Sequence, residues 1–544
     1  MVKQDWVIKR WKFDKLFLSR LADQTGYPLD VCNFLASHGY LTKALVDKFL
    51  NPSDESDFSK YIDGEKLLNF LVNNKDKKYM IYGDYDCDGV GATSIAYMGL
   101  TKMGFNCKMF INSRFKYGYG LHQAAFDEIK AKDIDVVISV DQGVVSFDAI
   151  DYANSIGIEV LVIDHHKANE QIPNALAVVD PWRLDDNTNF KSYCAGALTY
   201  QMIKALASKL SYDVELFKPL LGIVALTTIS DVMPLRFSNR YYVIEGLKQL
   251  NKGTLTAYKV LRDFYKKELN DDDLRFYISP AINAVGRLKD NVNKVLLFLI
   301  NSNYQEALTL YQEIISINRE RQKLSKSELN AALKQVRATD KVNIIEGDFH
   351  EGLVGIVAGR IKSETNKVTV VLSQQENQYK GSIRSIEGFN LKQKLDEISD
   401  IFNSYGGHDM AAGISFDLDK LSEFKERFTN LATTDCNNKI YLDYVYYTDS
   451  IDNKILELWD SFKPYGSGFE CPTFGLVINN YKTIVLKEKY LKLTTDKINV
   501  MAFNSLDYLS VAQKGTALKT IVKFEKDKYQ NYQAILLENE LREL

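Results

Sequence analysis

The sequence predicts an α/β protein with several domains, in which a mostly parallel sheet forms the centre of the first large domain. Two observations lead to this fold class. Between residues 79 and 163, short apolar runs alternate with amphipathic helical stretches, a pattern typical of parallel strands that are covered by helices on both faces. The chain is also 544 residues long, which exceeds the size of one ordinary domain.

The first two predicted segments contain the helices that precede the sheet and the sheet itself. Residues 1–72 have a helical pattern with a polar interruption at 51–57. Residues 73–237 contain four apolar runs, at 79–82, 107–111, 136–140 and 160–163. We expect these runs to be the strands of the parallel sheet, because a parallel strand is buried on both faces and therefore apolar throughout.

Three further segments are predicted in the rest of the chain. Residues 238–335 have a helical pattern, including a long polar amphipathic stretch that is typical of a helix connecting two domains. Residues 336–432 contain strand-like runs at 342–346 and 368–372, which predict a second α/β domain. In residues 433–544 short β-type runs alternate with turns, which predicts a small β-barrel.

Composition narrows the class of protein without defining its function. The formal net charge of −3 is mild evidence against a nucleic-acid-binding protein, although positive charge can be confined to one cleft. The six cysteines form no Cys-x-x-Cys pair, which argues against a disulfide framework and a zinc ribbon and predicts a reducing, cytoplasmic location. No apolar stretch has the length of a transmembrane helix, so we expect no membrane partner.

The motif Asp84-Tyr85-Asp86-Cys87-Asp88-Gly89 directly follows the first apolar run. Alternate residues of an extended segment point the same way, so at least two of the three carboxylates should converge. Carboxylates held close together raise each other's pKa unless a positive group neutralises them, and a hard divalent cation is the usual solution. The alternative is an Asp-rich surface turn.

Two more strand ends carry similar groups. Asp141 follows the run 136–140, and Asp164-His165-His166 follows the run 160–163. The carboxyl ends of parallel strands form the usual binding edge of such a sheet. The chain has only six histidines, so an adjacent pair at that edge is unlikely to be there by chance. Neutral imidazole binds metals, and this chemistry favours a metal site. Asp231 alone would be interpreted as a cap or turn residue, but we expect it on a neighbouring strand end with the others.

Four stretches of the chain resemble, in order, the four motifs of the DHH phosphoesterase superfamily. They are Asp84 to Gly89, Val140-Asp141-Gln142-Gly143, Asp164-His165-His166 and Asp231-Val232-Met233-Pro234-Leu235. Within it, the chain resembles the RecJ-type single-strand-specific exonucleases. The resemblance continues through residues 114–121, 283–287, 350–358, 381–385, 406–413 and 464–468. It implies a DHH catalytic domain, a long helical linker, a DHH-associated α/β domain and a C-terminal OB-like barrel.

The chemistry and the resemblance together assign the metal-binding roles. Two ions, Mn²⁺ or Mg²⁺, would be held by Asp86, Asp88, Asp141, His165 and Asp231, with Asp141 as the bridging carboxylate. Asp84 would be a direct ligand or would contact a ligand. Asp164 and His166 would orient ligands or contact the scissile phosphate.

A second set of residues would bind the nucleic acid and its terminal phosphate. In the family motifs, such residues supply backbone donors, hydroxyls, aromatic rings and cations. In this chain they are Arg114, Tyr117, Tyr119, Asn283, Arg287, Ser382, Arg384, Gly406, Gly407 and His408. Each of them alone could equally be a solvated loop residue or a core residue. Ala281 occupies a position that is commonly Arg in the family, and this departure removes one candidate DNA contact.

The implied activity is hydrolysis of single-stranded DNA in the 5′-to-3′ direction, with release of 5′-mononucleotides, in DNA repair and recombination. The resemblance further implies a monomer, with a helicase and a single-strand-binding protein as candidate partners. Two alternatives stay open. One is a DHH hydrolase of short oligonucleotides or cyclic dinucleotides, against which the barrel-like segment argues. The other is an inactive DHH scaffold of a replication assembly, against which the retained carboxylates argue.

Overall fold

The computed structural model describes residues 5–9, 11–113, 116–289, 292–431, 439–503, 506–527, 529–537 and 541–543. Its first segment begins with a strand and continues as helices. The elements are β1 (Asp5–Ile8), α1 (Lys15–Thr25), α2 (Leu29–Ser37), α3 (Lys43–Leu50), a 3₁₀ turn (Phe58–Lys60) and α4 (Gly64–Asn73). The prediction of a helical segment with a polar interruption at 51–57 is therefore wrong at β1.

The central sheet lies in the next segment and is parallel throughout. Its elements are β2 (Lys78–Gly83), α5 (Cys87–Lys102), β3 (Asn106–Ile111), α6 (Gln123–Lys130), β4 (Val136–Val140), α7 (Phe147–Ser155), β5 (Glu159–Ile163), β6 (Ala177–Val179), α8 (Ala195–Lys209), a 3₁₀ helix (Val214–Leu220) and α9 (Leu221–Ser230). The strand order is β3-β2-β4-β5-β6. The predicted parallel sheet is confirmed.

Strand β2 shows why the apolar runs are continuous. Tyr79 and Ile81 belong to the core on one face of the sheet, and Met80 and Tyr82 belong to the core on the other face. Successive side chains of a strand point to opposite faces, so a strand with helices on both sides must be apolar at every position.

Helices follow as far as residue 333. They are α10 (Phe237–Lys252), α11 (Thr256–Tyr265), α12 (Asp271–Asp273), a π-helical turn (Leu274–Ile278), α13 (Ser279–Leu288), α14 (Asn293–Ile300) and α15 (Tyr304–Leu333). The 30-residue helix α15 is the predicted connecting helix. Its first half packs on the core of the parallel-sheet segment and its last turns pack on the domain that follows.

The next domain has a mixed five-stranded sheet. It comprises β7 (Asn343–Gly347), α16 (Val354–Thr365), β8 (Thr369–Gln374), β9 (Gln378–Arg384), α17 (Leu391–Asp396), β10 (Ser404–His408), β11 (Ala411–Asp417) and α18 (Leu421–Leu431), with 3₁₀ turns at Ser399–Ile401 and Leu418–Lys420. The strand order is β10-β11-β9-β8-β7, in which only β7 and β8 pair in parallel.

The C-terminal region is a β domain with one eight-stranded sheet. Its elements are β12 (Lys439–Leu442), β13 (Tyr444–Tyr447), α19 (Asn453–Ser461), β14 (Phe474–Ile478), β15 (Lys482–Leu486), β16 (Tyr490–Thr494), β17 (Asn499–Ala502), a 3₁₀ turn (Leu506–Tyr508), α20 (Leu509–Ala512), β18 (Leu518–Lys526), β19 (Tyr532–Leu536) and β20 (Arg542–Glu543). The strand order is β13-β14-β18-β19-β17-β16-β15, with β20 on β18. The predicted barrel-like region is confirmed.

The N-terminal segment packs against this C-terminal domain. Strand β1 pairs in parallel with β12, and Phe34 and Phe49 of the N-terminal helices share a core with Trp459 and Phe469. The strand was missed because its only partner among the described strands lies more than 400 residues later. No helix in the described part of the chain is both long and apolar enough to cross a membrane.

Candidate metal centre

Three of the predicted acidic residues lie side by side at the carboxyl edge of the parallel sheet. Asp84 follows β2, Asp141 follows β4 and Asp164 follows β5, and these three strands are adjacent in the sheet. Asp231 directly follows helix α9, so the expectation that it follows a strand is wrong. The apolar residues before Asp231 are a buried helix, which an apolar pattern alone does not distinguish from a buried strand.

Three overlapping groups of side chains could hold a divalent cation, each with ligand atoms that lie within 4.8 Å of one another. One group is Asp88, His165 and Asp231, and another is Asp84, Asp86 and Asp141. The third group, Asp141, His165 and His166, shares one residue with each of these two. His165 Nε2 lies 3.0 Å from Asp141 Oδ1, 3.6 Å from Asp88 Oδ2 and 3.7 Å from Asp231 Oδ2. Asp141 thus adjoins both groups. Carboxylates with one imidazole are a donor set that suits Mn²⁺ and Mg²⁺.

Helix ends fix the two aspartates of the first motif. Asp86 caps α5, because its Oδ1 accepts hydrogen bonds from the backbone N–H groups of Asp88 (2.8 Å) and Gly89 (3.0 Å). The Asp88 carboxylate accepts the N–H groups of Ala195 (2.7 Å) and Gly196 (2.9 Å) at the first turn of α8. Backbone donors at a helix N-terminus stabilise a negative charge, so both side chains are held in place before any ion binds.

The cluster carries more negative charge than its surroundings neutralise. Burial raises the pKa of Asp231 to about 8, and the charges of Asp88 and Asp86 add to the rise. Burial and the same two carboxylates raise the pKa of Asp141 well above its usual range. Burial lowers the pKa of His165, which favours the neutral imidazole that can bind a metal. A bound cation would relieve the repulsion between these carboxylates.

Asp164 and His166 form a separate ion pair beside the cluster. Asp164 Oδ1 lies 2.7 Å from His166 Nδ1, and Asp164 Oδ2 accepts the N–H of Val144 at 2.9 Å. Burial opposes charge on both side chains. The pair nevertheless lowers the pKa of Asp164 and raises that of His166 to about 9. Tyr119 Oη lies 3.1 Å from the same His166 nitrogen, so this predicted aromatic residue adjoins the centre.

Asp180 is an acidic residue of this edge that the sequence analysis missed. It follows β6, the next strand after β5, and it is fully buried. Its Oδ1 accepts the N–H of Trp182, whereas its Oδ2 has no hydrogen-bond partner among the described residues. Burial, reinforced by Asp164, raises the pKa of Asp180 to about 8. The signal was present, since Asp180 follows a short apolar run as Asp84, Asp141 and Asp164 do.

Asn283, predicted as a nucleic-acid contact, forms hydrogen bonds beside the candidate metal centre, at the loop of residues 84–87. Its Oδ1 accepts the N–H of Cys87 at 2.8 Å, and its Nδ2 donates to Ser230 Oγ at 3.3 Å. Gly286, one turn later in α13, lets the helix approach this loop, because a Cβ there would lie 2.8 Å from the carbonyl oxygen of Tyr85. Ala281 of the same helix is fully buried, so its position does not offer the DNA contact that the family comparison suggested.

The predicted phosphate-binding residues of the second domain form one patch. Ser382 pairs across the sheet with Gly413 and then Gly406, and Arg384 pairs with Ala411 and then His408. Cross-strand partners share one face, so Ser382, Arg384 and His408 lie on the same side of the sheet. Gly407, the second-to-last residue of β10, has a φ of 144° that favours glycine.

Arg384 is the arginine of this patch. Its Nη1 donates to Ser382 Oγ at 2.9 Å, and it has no carboxylate partner among the described residues. Burial lowers its pKa. A Cβ on Gly355, at the start of α16, would lie 2.9 Å from Arg384 Nη2, so the helix N-terminus directly adjoins the guanidinium. Arg287 Nη1 in turn donates to Gly352 O at 3.4 Å, which links α13 to this region.

Two predicted contacts are not brought into either cluster by the described structure. Tyr117 Oη donates to Glu128 on α6. Arg114 lies outside the described residues.

Comparison with known families shows three consecutive matches. The DHH family N-terminal domain matches residues 78–228, the DHHA1 domain matches 330–434, and the RecJ OB domain matches 442–540. The chain is a RecJ-type member of the DHH superfamily. The resemblance inferred from the motifs is therefore confirmed for this RecJ-type chain.

Relatives and solved structures agree with this assignment. The single-stranded-DNA-specific exonuclease RecJ of Bacillus subtilis is 26% identical over 97% of this chain and 69% of its own length. The RecJ of Haemophilus influenzae is 29% identical over 88% of this chain and 90% of its own length. A crystal structure of Thermus thermophilus RecJ with Mn²⁺ has the same fold, with a TM-score of 0.84 at 23% identity over 99% of this chain and 80% of that one.

Proposed function

We propose that this RecJ-type chain is a metal-dependent exonuclease that hydrolyses single-stranded DNA from the 5′ end and releases 5′-mononucleotides. The observation that supports it most is the convergence of Asp84, Asp86, Asp88, Asp141, His165 and Asp231 at one edge of the sheet. Relatives that match 97% and 88% of this chain are named as single-stranded-DNA-specific exonucleases, and RecJ structures contain Mn²⁺ or Mg²⁺.

The donor set fits two ions. Asp84, Asp86 and Asp141 would hold one, and Asp88, His165 and Asp231 would hold the other with Asp141 between them. When bound, the ions supply an activated water and stabilise the negative charge that develops on the phosphate. In this arrangement Asp84 would be a direct ligand.

The ion pair of Asp164 and His166 would act on the scissile phosphate. His166 keeps its proton because Asp164 stabilises the imidazolium, and its side chain is 42% exposed beside the buried carboxylates. A cation at this place can attract a phosphate oxygen and stabilise its negative charge. Asp164 would hold the ring in position and would itself stay ionised, because its pKa is lowered.

The second domain would determine the polarity of digestion. Ser382, Arg384 and His408, with the N-terminus of α16, provide the donors and the guanidinium that a terminal phosphate requires. An exonuclease that binds its terminal phosphate in this patch would place the adjacent phosphodiester at the metal centre. We propose the same residues as the cause of 5′ specificity.

The remaining proposals concern domain organisation and cellular context. Residues 73–237 would be the catalytic domain, 238–335 the connecting helical region, 336–432 the phosphate-binding domain and 433–544 the OB-like domain that holds the strand, after the N-terminal segment 1–72. We propose a cytoplasmic monomer that acts in DNA repair and recombination, with a helicase and a single-strand-binding protein as partners. These proposals rest on the family resemblance and the cysteine pattern.

Digestion of end-labelled strands tests the activity and its polarity. With Mn²⁺, a single strand labelled at its 5′ end should release labelled mononucleotide at once, whereas a 3′-labelled strand should release it last. Asp141→Asn should abolish release, and Asp151→Asn, a change of an exposed aspartate on α7, should not. Release from the 3′ end first would contradict the polarity, and undiminished activity of Asp141→Asn would contradict the site.

Arg384→Gln tests the phosphate patch. The variant should lose its preference for 5′-phosphorylated over 5′-hydroxyl strands while keeping the same rate on the hydroxyl substrate. A dinucleotide substrate in parallel separates a long-strand exonuclease from a hydrolase of short oligonucleotides, because only the latter would degrade the dinucleotide better than a long strand.

A further inference from the structure

Helix α9 ends at the metal centre in a conformation that normally calls for glycine. Asp231 directly follows the helix, and Val232 comes next with a φ of 56°. The N–H of Val232 donates to Ile229 O at 3.2 Å. The N–H of Met233 donates to Thr228 O at 3.0 Å. These two bonds form a Schellman motif in which Val232 takes the left-handed position, where glycine is the usual residue.

Valine is an unfavourable residue for this position. Among the described non-glycine residues with a positive φ, Val232 is the only one with a β-branched side chain. A branched Cβ makes that conformation costly, so such residues rarely adopt it. Other left-handed helix ends of this chain carry Gly26, Gly253 and Lys266. The side chain of Val232 does not serve the core either, since it is 68% exposed. Backbone strain that is kept beside a metal ligand points to a functional role.

The metal centre is open on the side of Val232. The side chain of Asp231 is 30% exposed, whereas those of Asp141 and Asp88 are 4% and 1% exposed. Asp231 therefore lies at the opening of the centre, and Val232 is the next residue along the chain. A substrate that reaches the carboxylates from solvent passes these two residues.

Other exposed apolar side chains also neighbour the acidic edge of the sheet. Val145 is 44% exposed and follows Val144, whose N–H donates to Asp164. Trp182 is 39% exposed, and its N–H donates to Asp180. Apolar side chains beside a charged centre do not suit a phosphate, but they suit the carbon atoms of the sugar that is attached to it.

We infer that Val232 selects deoxyribose over ribose in the nucleotide that leaves at each cleavage. The inference rests on the proposed function, in which the bond between phosphorus and the 3′ oxygen of that nucleotide breaks. The leaving oxygen is bonded to C3′, so the neighbouring C2′ is the part of the sugar that meets the side chain beside Asp231. The methyl groups of Val232 pack against the CH₂ group of a deoxyribose. A 2′-hydroxyl at the same place loses its hydrogen bonds to water and receives none from the methyl groups.

The expected size of this selection is moderate. An apolar contact rejects a substrate that merely adds a hydroxyl by about a hundredfold at most. For Val232→Gly, the ratio of kcat/KM on single-stranded DNA to that on RNA should therefore fall by about tenfold, through a gain on RNA. Removal of the strain should also raise Tm by about 2 °C. Val232→Asn should lower the ratio further, because an asparagine tolerates the left-handed backbone and its amide can bond to a 2′-hydroxyl.

Lys266 provides a matched control for the backbone effect. It has a φ of 54° at the end of α11, is exposed, and is not among the residues of the metal centre. Lys266→Gly should raise Tm as well but should leave the ratio of DNA to RNA hydrolysis unchanged. A loss of selectivity in Val232→Gly alone therefore comes from the missing side chain and not from a relaxed helix end.

Two further measurements locate the effect. A DNA strand with one ribonucleotide should make the unmodified chain pause when the ribonucleotide becomes the 5′-terminal residue, and Val232→Gly should pass it. In EDTA, fluorescence anisotropy of labelled deoxy- and ribo-oligonucleotides should show a weaker preference for the deoxy strand in Val232→Gly than in the unmodified chain. This second readout does not depend on hydrolysis.

The outcomes separate this inference from the proposed function. If the chain digests DNA from the 5′ end but Val232→Gly keeps the ratio of the unmodified chain, or Lys266→Gly loses it equally, the role of Val232 is overturned and the proposed function stands. Digestion from the 3′ end with a lowered ratio in Val232→Gly overturns the proposed polarity and keeps the role of Val232. A chain that digests neither DNA nor RNA overturns both.

Discussion

His165 Nε2 lies 3.0 Å from Asp141 Oδ1, at the point where the two possible metal positions meet. Both groups are buried, and the pKa of each is shifted toward its neutral form, that of Asp141 upward and that of His165 downward. This contact therefore joins two groups whose burial favours neutrality, in a place where a divalent cation would stabilise the ionised carboxylate.

The first prediction concerns the pH dependence of the metal-free protein. Asp231 has a folded-state pKa raised to about 8, so its protonated form stabilises the fold at low pH. That contribution is complete below the unfolded value of about 4 and is lost as the pH rises through about 8. In EDTA, we expect Tm to fall by about 5 °C between pH 6 and pH 9.

Mn²⁺ should remove most of that fall in Tm, because the bound ion neutralises the carboxylates that are otherwise neutralised by protons. Differential scanning fluorimetry at several pH values checks both curves, and Asp231→Asn should flatten the metal-free curve. A Tm shift by Mn²⁺ that is the same at pH 6 and pH 9 would contradict the argument.

The second prediction concerns the ion pair beside the centre. Asp164→Asn should let the pKa of His166 fall from about 9 toward its usual value of about 6.5. The variant should then lose about tenfold in kcat at pH 6 but about a hundredfold at pH 8, where His166 would be neutral. Steady-state rates with saturating Mn²⁺ from pH 6 to pH 9 give the comparison. An equal loss at every pH would mean that the charge of His166 does not matter.

The third prediction separates two roles for Asn283. Because its amide bonds to Cys87 and Ser230, Asn283→Ala should weaken Mn²⁺ binding by about tenfold, as the loss of groups that support metal ligands usually does. Calorimetric titration with Mn²⁺ measures this effect. Anisotropy of a labelled single strand in EDTA should stay unchanged. If instead the strand affinity falls and the Mn²⁺ affinity does not, Asn283 is a DNA contact, as first predicted from the motif.

The fourth prediction concerns a buried arginine at the junction of three segments. Arg240 of α10 is only 2% exposed, and its guanidinium donates to the carbonyl oxygens of Phe49, Phe462, Lys463 and Pro464. Its guanidinium carbon lies 3.7 Å from the centre of the Phe49 ring. Arg240→Met would leave those carbonyls unpaired, so we expect a loss of about 3 kcal/mol in the free energy of unfolding.

Urea denaturation followed by fluorescence measures that loss. Arg262→Met, a change of a more exposed arginine on α11, is the control and should cost little. Folded Arg240→Met should retain Mn²⁺-dependent activity, since Arg240 is not among the metal-binding residues. Equal stability of the two variants would show that the buried contacts contribute nothing.

The parts of the site that the sequence predicted are those set by local structure. Asp84, Asp141 and Asp164 each follow an apolar strand, and a parallel sheet necessarily brings such ends together. Asp231 was expected on a strand because a buried helix has the same apolar pattern as a buried strand. The role of Asn283 depends on how α13 packs against the metal loop, and that packing has no local signal.

Strand β1 has a consequence for the order in which the chain is made. Its only described partner, β12, emerges from the ribosome more than 400 residues later, so Asp5–Ile8 cannot form this pairing while the parallel-sheet domain is being synthesised. Domains fold during synthesis from the N-terminus onward, and contacts of such long sequence separation form slowly. Strand β1 is therefore among the last described elements to form its native pairing, and it does so only after residue 442 of 544 has been synthesised.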